Sequence, residues 1–376
     1  MKKKILFLMI FFFTLLLVGC GKYGEDDAIK DFKKKIDKAD SYRVTGTLEI
    51  TNNDDTYQYT VDASYKKDNN YRVSLINKSN NHEQIILKNS DGVYVVTPSL
   101  NKSFKFQSDW PKNNSQIYLL SSILNDIKND TERKFEEKDG NYIFTTKVNY
   151  PNNTELSKQV ITLDNKLNLK TIEVQNNNGI TQMTMKFDNI DYNSNFNSNY
   201  FDLNSIIVNI ENPDDKLKNN TKDNNDNNQT TKDKNTTTEN NNNNNINDKA
   251  PDNNKDKTTE QSSAIDDIIY PLYIPTGTSL IDKEKVSKTD GERVILTFDG
   301  EKPFLLVEET SSVSDEFSIV PTLGEPYLLI DTIGALTNNS ITWSSNGIDY
   351  YIVSDAMSQI ELIEIASSIS SIPTMK

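Results

Sequence analysis

A long and almost wholly polar stretch divides this chain of 376 residues into two parts. From Ile210 to Gln261 nearly every residue is Asn, Asp, Lys or Thr, as in the run TTTENNNNNNIND. Such a segment has too little apolar surface to offset the conformational entropy that folding would cost. We therefore predict a disordered linker over residues 205–263, with an r.m.s. span of roughly 40 Å, that tethers a second folded unit loosely to the first.

Before the linker, the hydrophobic pattern predicts one helix followed by a series of β-strands. Ala28, Phe32 and Ile36 recur every four residues between charged residues, which is typical of a helix with one buried face. From Tyr42 onwards the period changes to two, and each alternating run ends in a turn rich in Asn or Asp, as antiparallel strands require. About ten such runs lie between residues 42 and 190.

One segment interrupts the strands with a helical pattern. The sequence NSQIYLLSSILNDI has an apolar helical face formed by Ile117, Leu120, Leu124 and Ile127. Asn114 or Ser115 is the expected N-cap of this helix. A single sheet of about ten strands has to curl, and its concave face has to be covered. We expect the two helices to cover it.

After the linker, the sequence predicts a small α+β domain over residues 264–376. The segments RVILTF and PFLLVEE read as strands, and the pair Asn346-Gly347 between apolar runs is a strong hairpin signal. Ser358 and Glu361 have the spacing of a capping box, which predicts the start of a last helix.

The amino-terminal sequence predicts a secretory signal with lipid attachment at Cys20. Lys2 to Lys4 precede an apolar run from Ile5 to Val18, which is shorter than the about 20 residues that a spanning helix needs. The run ends in a lipobox, formed by Leu17, Val18 and Gly19, directly before the single cysteine of the chain. We predict a signal peptide over 1–19 and a lipidated tether over 20–25; the alternative is an uncleaved anchor with an incidental cysteine.

The charge of the chain bears on how it reaches a membrane. The formal net charge is −14, and removal of Lys2 to Lys4 with the signal peptide makes it more negative. Such a surface is repelled by anionic lipid headgroups and by nucleic acid. Attachment to the extracytoplasmic face of the cell membrane is therefore expected from the lipid on Cys20, and no nucleic-acid partner is expected.

Patterns for catalysis and metal binding are weak. His82 is the single histidine and lies in a polar turn, so a histidine-based triad or a zinc site of the usual type is not expected. Ser99 and Lys102 form an S-x-x-K spacing, but it falls in a hairpin connection and lacks the partner motifs. No Gly-rich phosphate loop occurs. We predict no catalytic residue, no metal and no cofactor, and therefore not an enzyme.

Binding remains as the expected function. A curled, half-open sheet of the kind expected here can hold an acyl chain or a hydrophobic element of a partner on its apolar concave surface. The candidates for that surface are seven strand aromatics: Tyr57, Tyr59, Tyr65, Tyr71, Tyr94, Phe104 and Phe106. The alternative is that these side chains fill the core. The pair Trp110-Pro111 is a candidate hinge for the second helix as a lid, with a rigid turn as its alternative.

Residues 26–204 resemble the LolA-type lipoprotein-carrier fold, a half-open antiparallel β-barrel with a helical lid. The resemblance rests on the early helix, the hairpin SDGVYVVTPSLNKSFKF, the helix after Asp109-Trp110-Pro111, and VITLDNKLNLKTIEV. Residues 264–376 resemble a domain of unknown function that follows LolA-like domains in spore-forming Firmicutes. That resemblance rests on YPLYIPTGTSL, ITWSSNGIDYYIVS and LIEIASSI. The fold class expected is therefore mainly β with α.

With its lipobox, the chain is similar to the LolA-like sporulation and germination lipoproteins of Firmicutes, of the YdcC and GerS type. The resemblance implies a role in spore cortex maturation or germination. It also implies a protein partner, either a cell-wall amidase, as for one member, or another spore-envelope protein. The alternative function is a lipid or lipoprotein carrier. A carrier has to shuttle between membranes, whereas a lipid on Cys20 would hold this chain in place.

Overall fold

The computed structural model describes residues 23–52, 55–112, 115–150, 153, 155–211, 265, 267–289, 291–313 and 316–370. The predicted signal peptide, the lipobox Leu17, Val18 and Gly19, the lipidation site Cys20 and nearly all of the predicted linker lie outside the described residues. The described part is mainly β, as the sequence predicts. It contains a large open sheet, which helices cover, and a separate, smaller sheet.

The first unit contains three helices and eleven strands within its described residues. The helices are α1 (Glu25–Asp37), α2 (Leu120–Asn129) and α3 (Leu203–Glu211). The strands are β1 (Ser41–Asn52), β2 (Asp55–Lys66), β3 (Asn70–Asn77), β4 (Glu83–Asn89), β5 (Gly92–Thr97), β6 (Lys102–Phe106), β7 (Lys134–Lys138), β8 (Asn141–Lys147), β9 (Leu156–Asp164), β10 (Leu169–Asn176) and β11 (Thr181–Asp191). A short 3₁₀ turn, Pro98–Leu100, joins β5 to β6.

These strands form one open antiparallel sheet in the order β6-β5-β4-β3-β2-β1-β11-β10-β9-β8-β7. The pairing of β1 with β11 joins the two halves, and its register shifts between Thr45 and Gly46. A Cβ on Gly46 would lie 2.2 Å from the backbone oxygen of Lys186. Because no side chain tolerates so short a contact, glycine is required where the two halves of the sheet meet.

One face of this sheet, here called the inner face, carries the main core. Ala28, Phe32 and Ile36 of α1 are buried against it, as predicted from their spacing. Helix α2 buries Leu120, Ile123, Leu124 and Ile127 in the same core. The strands contribute alternate residues, among them Val44, Leu48, Val61, Val73, Leu75, Ile161, Ile172 and Met185. The prediction that two helices cover one face of a long sheet is confirmed.

The start of α2 differs from the sequence-based expectation. The helix begins at Leu120, its N-cap residue Leu119 makes no capping hydrogen bond, and Ser115 lies before the helix. Asn114 lies outside the described residues. The Ser115 hydroxyl instead accepts a hydrogen bond from the Asn149 amide at 2.9 Å, which ties this segment to the sheet. Ser115 as the cap is therefore wrong, because a contact distant in sequence uses its hydroxyl.

The outer face of the same sheet has a smaller core of its own. Phe201 and two residues of α3, Leu203 and Ile206, pack against residues of β4 and β5, which are Ile85, Leu87, Tyr94 and Val96. Asp202 accepts a hydrogen bond from the Ser205 amide at 3.3 Å, at the start of α3. Tyr94 is thus on the face opposite to Val93 and Val95, because successive side chains of a strand alternate.

The C-terminal unit forms a second sheet, with the order β12-β13-β14-β19-β18-β17-β16. Its strands are β12 (Thr278–Lys288), β13 (Gly291–Gly300), β14 (Phe304–Thr310), β16 (Glu325–Leu328), β17 (Ile333–Leu336), β18 (Ser340–Ser345) and β19 (Ile348–Val353). Asn346 and Gly347 both have positive φ in the turn between β18 and β19, which confirms the predicted hairpin. Helix α4 (Gln359–Ser370) covers one face of this second sheet and buries Leu362, Ile365, Ala366 and Ile369 there; this face is called the inner face of the second sheet.

The two units are in contact, although the sequence predicts a loose tether between them. Strand β15 (Ser318–Thr322) leaves the second unit and pairs in parallel with β6, so that it becomes the twelfth strand of the first sheet. The Tyr59 hydroxyl donates to the carbonyl of Ile330. The Gln84 side-chain oxygen accepts from the Ile333 amide at 2.6 Å. Ile333 and Ala335 also join the core of the first unit.

Candidate functional site

A cavity of about 730 Å³ lies between the inner face of the first sheet and the C-terminal unit. The sheet contributes Leu48, Ile50, Ile86 and Met183, and the segment before α2 contributes Ile117 and Tyr118. The opposite wall comes from the second unit, with Tyr273, Leu329, Ile330, Ile360 and Ile363. Its volume and its mainly apolar lining are those of sites that bind small apolar ligands or a partner's side chains.

The seven predicted aromatics do not form this lining. Tyr59, Tyr71, Tyr94 and Phe106 are buried, and Tyr57, Tyr65 and Phe104 are half-buried. Six of them belong to or pack against the inner-face core, while Tyr94 lies on the outer face beside Phe201. Tyr94 therefore differs from the expectation of one shared surface. The structure favours the alternative that these side chains fill the core.

Two of the seven aromatics, Phe104 and Phe106 on β6, also border a cavity. Both line a second cavity, of about 570 Å³, between β6, β15 and the C-terminal sheet. Leu323 and Tyr351, which are large and exposed, stand at its edge. The second cavity therefore uses two of the predicted aromatics in a site that neither unit forms alone.

Trp110 and Pro111 are buried where the chain approaches α2. The Trp110 ring meets Tyr71 edge-on with centroids 5.9 Å apart, and Tyr71 and Tyr65 continue the contact at 5.1 Å. The Trp110 amide donates to the Ser108 hydroxyl at 3.0 Å. Trp110 also lines the first cavity, so it lies at the boundary between core and site. A hinge at this pair stays a prediction.

Polar groups collect at one end of the cavity. Tyr118, Tyr150 and Tyr327 all line it, and burial raises the pKa of each phenol, that of Tyr327 to about 12. Behind them, burial raises the pKa of Asp126 to about 6, against hydrogen bonds from Ser115 and Gln159. Gln159 donates to the Asp126 carboxylate at 2.8 Å. These groups can orient the polar part of a ligand whose apolar part lies along the aliphatic wall.

Ser99 and His82, which the sequence analysis treated separately, lie next to each other in the structure. The Ser99 hydroxyl lies 3.3 Å from Nδ1 of His82, and burial lowers the pKa of this half-buried histidine. Ser99 itself is exposed, and neither residue lines either cavity. Nucleophilic catalysis needs, besides a base, donors placed for the developing oxyanion and a pocket for the substrate. The pair has no such pocket, so it is not the candidate site.

No group of three or more His, Cys, Asp or Glu side chains is placed to hold a metal ion among the residues that the structure describes. In that same part of the chain, no helix combines the length and the apolar character that crossing a bilayer takes.

Sequence reasoning missed the cavity because half of its wall comes from the C-terminal unit. Tyr273, Ile360 and Glu364 line it, yet no sequence pattern assigns a binding role to any of them. The segment YPLYIPTG offered one signal, since its Tyr270, Leu272 and Tyr273 remain exposed rather than buried. Exposed apolar residues that cluster in this way mark interaction surfaces.

The chain matches a known protein family and a curated protein. The family model described as "Sporulation protein YdcC-like" matches residues 1–201. "Sporulation protein YdcC" of Bacillus subtilis (strain 168) is 31% identical over 356 residues, which covers 94% of this chain and 93% of that protein.

Solved structures show weaker likenesses. A chain in the structure of the CwlD amidase from Clostridioides difficile in complex with the GerS lipoprotein matches with 19% identity and a TM-score of 0.29, covering 46% of this chain and 99% of that chain. An outer membrane lipoprotein-sorting protein domain from Vibrio parahaemolyticus matches with 11% identity and a TM-score of 0.32, covering 48% and 97%. The family match and the relative decide the assignment: this chain belongs to the YdcC-like sporulation protein family.

Proposed function

We propose that this protein is a non-catalytic lipoprotein that binds a protein partner in spore envelope or cortex maturation, or in germination. The observation that carries the proposal is the cavity of about 730 Å³ between the two units. Its lining is mainly apolar, and its polar members are phenols, carboxylates, amides and hydroxyls; among the described residues none of these belongs to a group placed to hold a metal ion. A binding site of this kind holds a partner and does not transform it.

Membrane anchoring is the second part of the proposal. A lipid on Cys20 supplies the attachment that an acidic surface cannot supply. Membrane fractionation of cells that carry Cys20→Ala tests it. We expect the variant to appear in the medium or to remain unprocessed, whereas the native chain stays in the membrane fraction. A Cys20→Ala protein that is processed and remains in the membrane would contradict lipid anchoring.

Partner binding is tested with two variants of exposed aliphatic residues. Ile180 is 57% exposed and lines the cavity, whereas Val208 is 53% exposed and lies on α3, on the other face of the sheet. The full chain, with either Ile180→Asp or Val208→Asp, is used to capture proteins from sporulating cells. We expect Ile180→Asp to lose a partner, for example a cell-wall amidase, that Val208→Asp retains. Capture of phospholipid, with no protein enriched, would support the carrier alternative instead.

A further inference from the structure

The charges around the first cavity all have one sign. Among its described lining residues the charged side chains are Glu155 and Glu364, and there is no Lys, Arg or His. Both carboxylates belong to exposed residues, Glu155 directly before β9 and Glu364 on α4. They therefore stand at the mouth of the cavity, and the aliphatic wall lies behind them.

These two carboxylates differ from the acidic residues around them. Glu361, one turn earlier on α4, is paired with Lys302 at 3.3 Å. Within the described part of the chain no ion pair is formed by Glu155 or Glu364, and Glu364 accepts a hydrogen bond from the Tyr273 hydroxyl. Burial raises the pKa of Glu364, and the negative charges of Glu155 and Glu361 raise it further. The two carboxylates at the mouth thus repel each other, and among the described residues no basic side chain pairs with them.

We propose that the cavity accepts an apolar segment of a protein partner that carries a Lys or Arg residue, with the basic group held between Glu155 and Glu364. This inference rests on the proposed partner binding and names the chemistry of the partner. The aliphatic wall accepts the apolar side chains, and the phenols of Tyr118 and Tyr150 can bond its backbone. The basic group supplies the charge that the mouth lacks, and the net charge of −14 attracts such a partner from a distance.

The same arrangement disfavours an anionic amphiphile. A fatty acid or an acidic phospholipid would bring a negative headgroup to a mouth that already holds two carboxylates. Like charges in contact reduce affinity, and more so where water is partly excluded. The two carboxylates therefore let the cavity distinguish a basic ligand from an acidic one. The apolar wall alone could not make that distinction.

The test uses two dye-labelled peptides with the same Leu/Ala sequence, one ending in two Lys residues and the other in two Glu residues. Fluorescence anisotropy measures their affinity for the full chain held in amphipols. We expect the Lys peptide to bind about three- to tenfold more tightly at low salt, and the preference to shrink as salt rises. The double variant Glu155→Gln, Glu364→Gln should remove most of the preference at about 0.15 M salt, where the charge of the rest of the chain is largely screened. Glu136→Gln, an exposed change on the distant strand β7, should preserve it.

A third variant locates the peptide. Ser367→Phe fills the cavity from α4 and should weaken both peptides. Equal affinity for the two peptides, or a preference at about 0.15 M salt that the double Gln variant leaves undiminished, would overturn the inference while leaving partner binding intact. Binding that Ser367→Phe leaves unchanged would overturn it as well, because the peptide would then lie elsewhere. Failure of the proposed function itself is seen separately, as the absence of a protein captured by the native chain.

Discussion

The two sheets of this protein bury their inner faces to different degrees. One helix, α4, together with Ile265, Ile268 and Ile269, closes the seven-stranded sheet with a compact core. The larger sheet is covered by α1, by α2 and by β17 of the other unit, and a cavity of about 730 Å³ remains. A helix is about 10–12 Å wide and strands lie about 4.8 Å apart, so each helix covers only two or three strands. A long sheet with two helices therefore leaves room for a site.

The largest expected effect compares the same substitution in the two cores. Ile365 on α4 is fully buried, whereas Ile50 is a half-buried residue of the cavity wall. We expect Ile365→Ala to lower the free energy of unfolding by about 2–5 kcal/mol, because it leaves a new void in a packed core. Ile50→Ala should cost less than about 1 kcal/mol, since its neighbours already border a cavity. Urea denaturation of both variants measures the difference, and equal losses would contradict this account of the two cores.

The next effect concerns the contact between the units. Gln84 is buried, and its side-chain oxygen accepts from the Ile333 amide at 2.6 Å and from the Thr332 hydroxyl at 3.3 Å. Gln84→Leu leaves these donors buried without an acceptor, which we expect to cost about 3 kcal/mol. Gln58→Leu, an exposed change on β2, is the matched control and should change stability by less than about 0.5 kcal/mol. Hydrogen exchange at Ile333 should rise in the Gln84 variant alone; unchanged exchange would mean that the units do not depend on this contact.

A third prediction uses a carboxyl in the C-terminal core. Glu308 is fully buried on β14 and accepts hydrogen bonds from the Ile269 amide at 3.1 and 3.2 Å. Burial raises the pKa of Glu308 to about 7, from an ordinary value of 4.5. The folded state therefore binds a proton that the unfolded state releases between these values, so this group stabilises the fold more at pH 5 than at pH 7.5.

The matching variant is Glu308→Gln, which keeps an acceptor for Ile269 but cannot ionise. We expect native stability to gain on the order of 2 kcal/mol relative to the variant when the pH falls from 7.5 to 4.5. Thermal denaturation of both proteins over this range gives the comparison. The difference between them isolates Glu308 from groups such as Asp126 and His82, which titrate in both proteins. A difference that is constant with pH would show that Glu308 is not protonated in the folded state.

The parts of this fold that follow from local periods were predictable, and the parts that depend on distant pairing were not. The spacing of Ala28, Phe32 and Ile36 identifies α1, since a helical face is set by neighbours in sequence. In β5 both rows of side chains are apolar, so the pattern could not assign Tyr94 to the outer face. Strand β15 has mostly exposed side chains and contains Pro321, and backbone pairing to β6 holds it. Backbone pairing leaves no side-chain pattern, and the cavity, which depends on that contact between units, was missed with it.

The smallest expected effect concerns the N-terminal caps of two covering helices, α4 and α2. Helix α4 has a complete capping box, in which the Ser358 amide donates to Glu361 at 2.9 Å and the Glu361 amide donates to the Ser358 hydroxyl at 3.4 Å. Helix α2 has no side-chain cap at Leu119. Ser358→Ala should lower the free energy of unfolding by about 1 kcal/mol, because the Glu361 amide loses its acceptor. Ser279→Ala, an exposed change on β12, should be neutral in the same urea titration. Equal effects of the two serine variants would mean that packing alone, and not its cap, fixes α4 on its sheet.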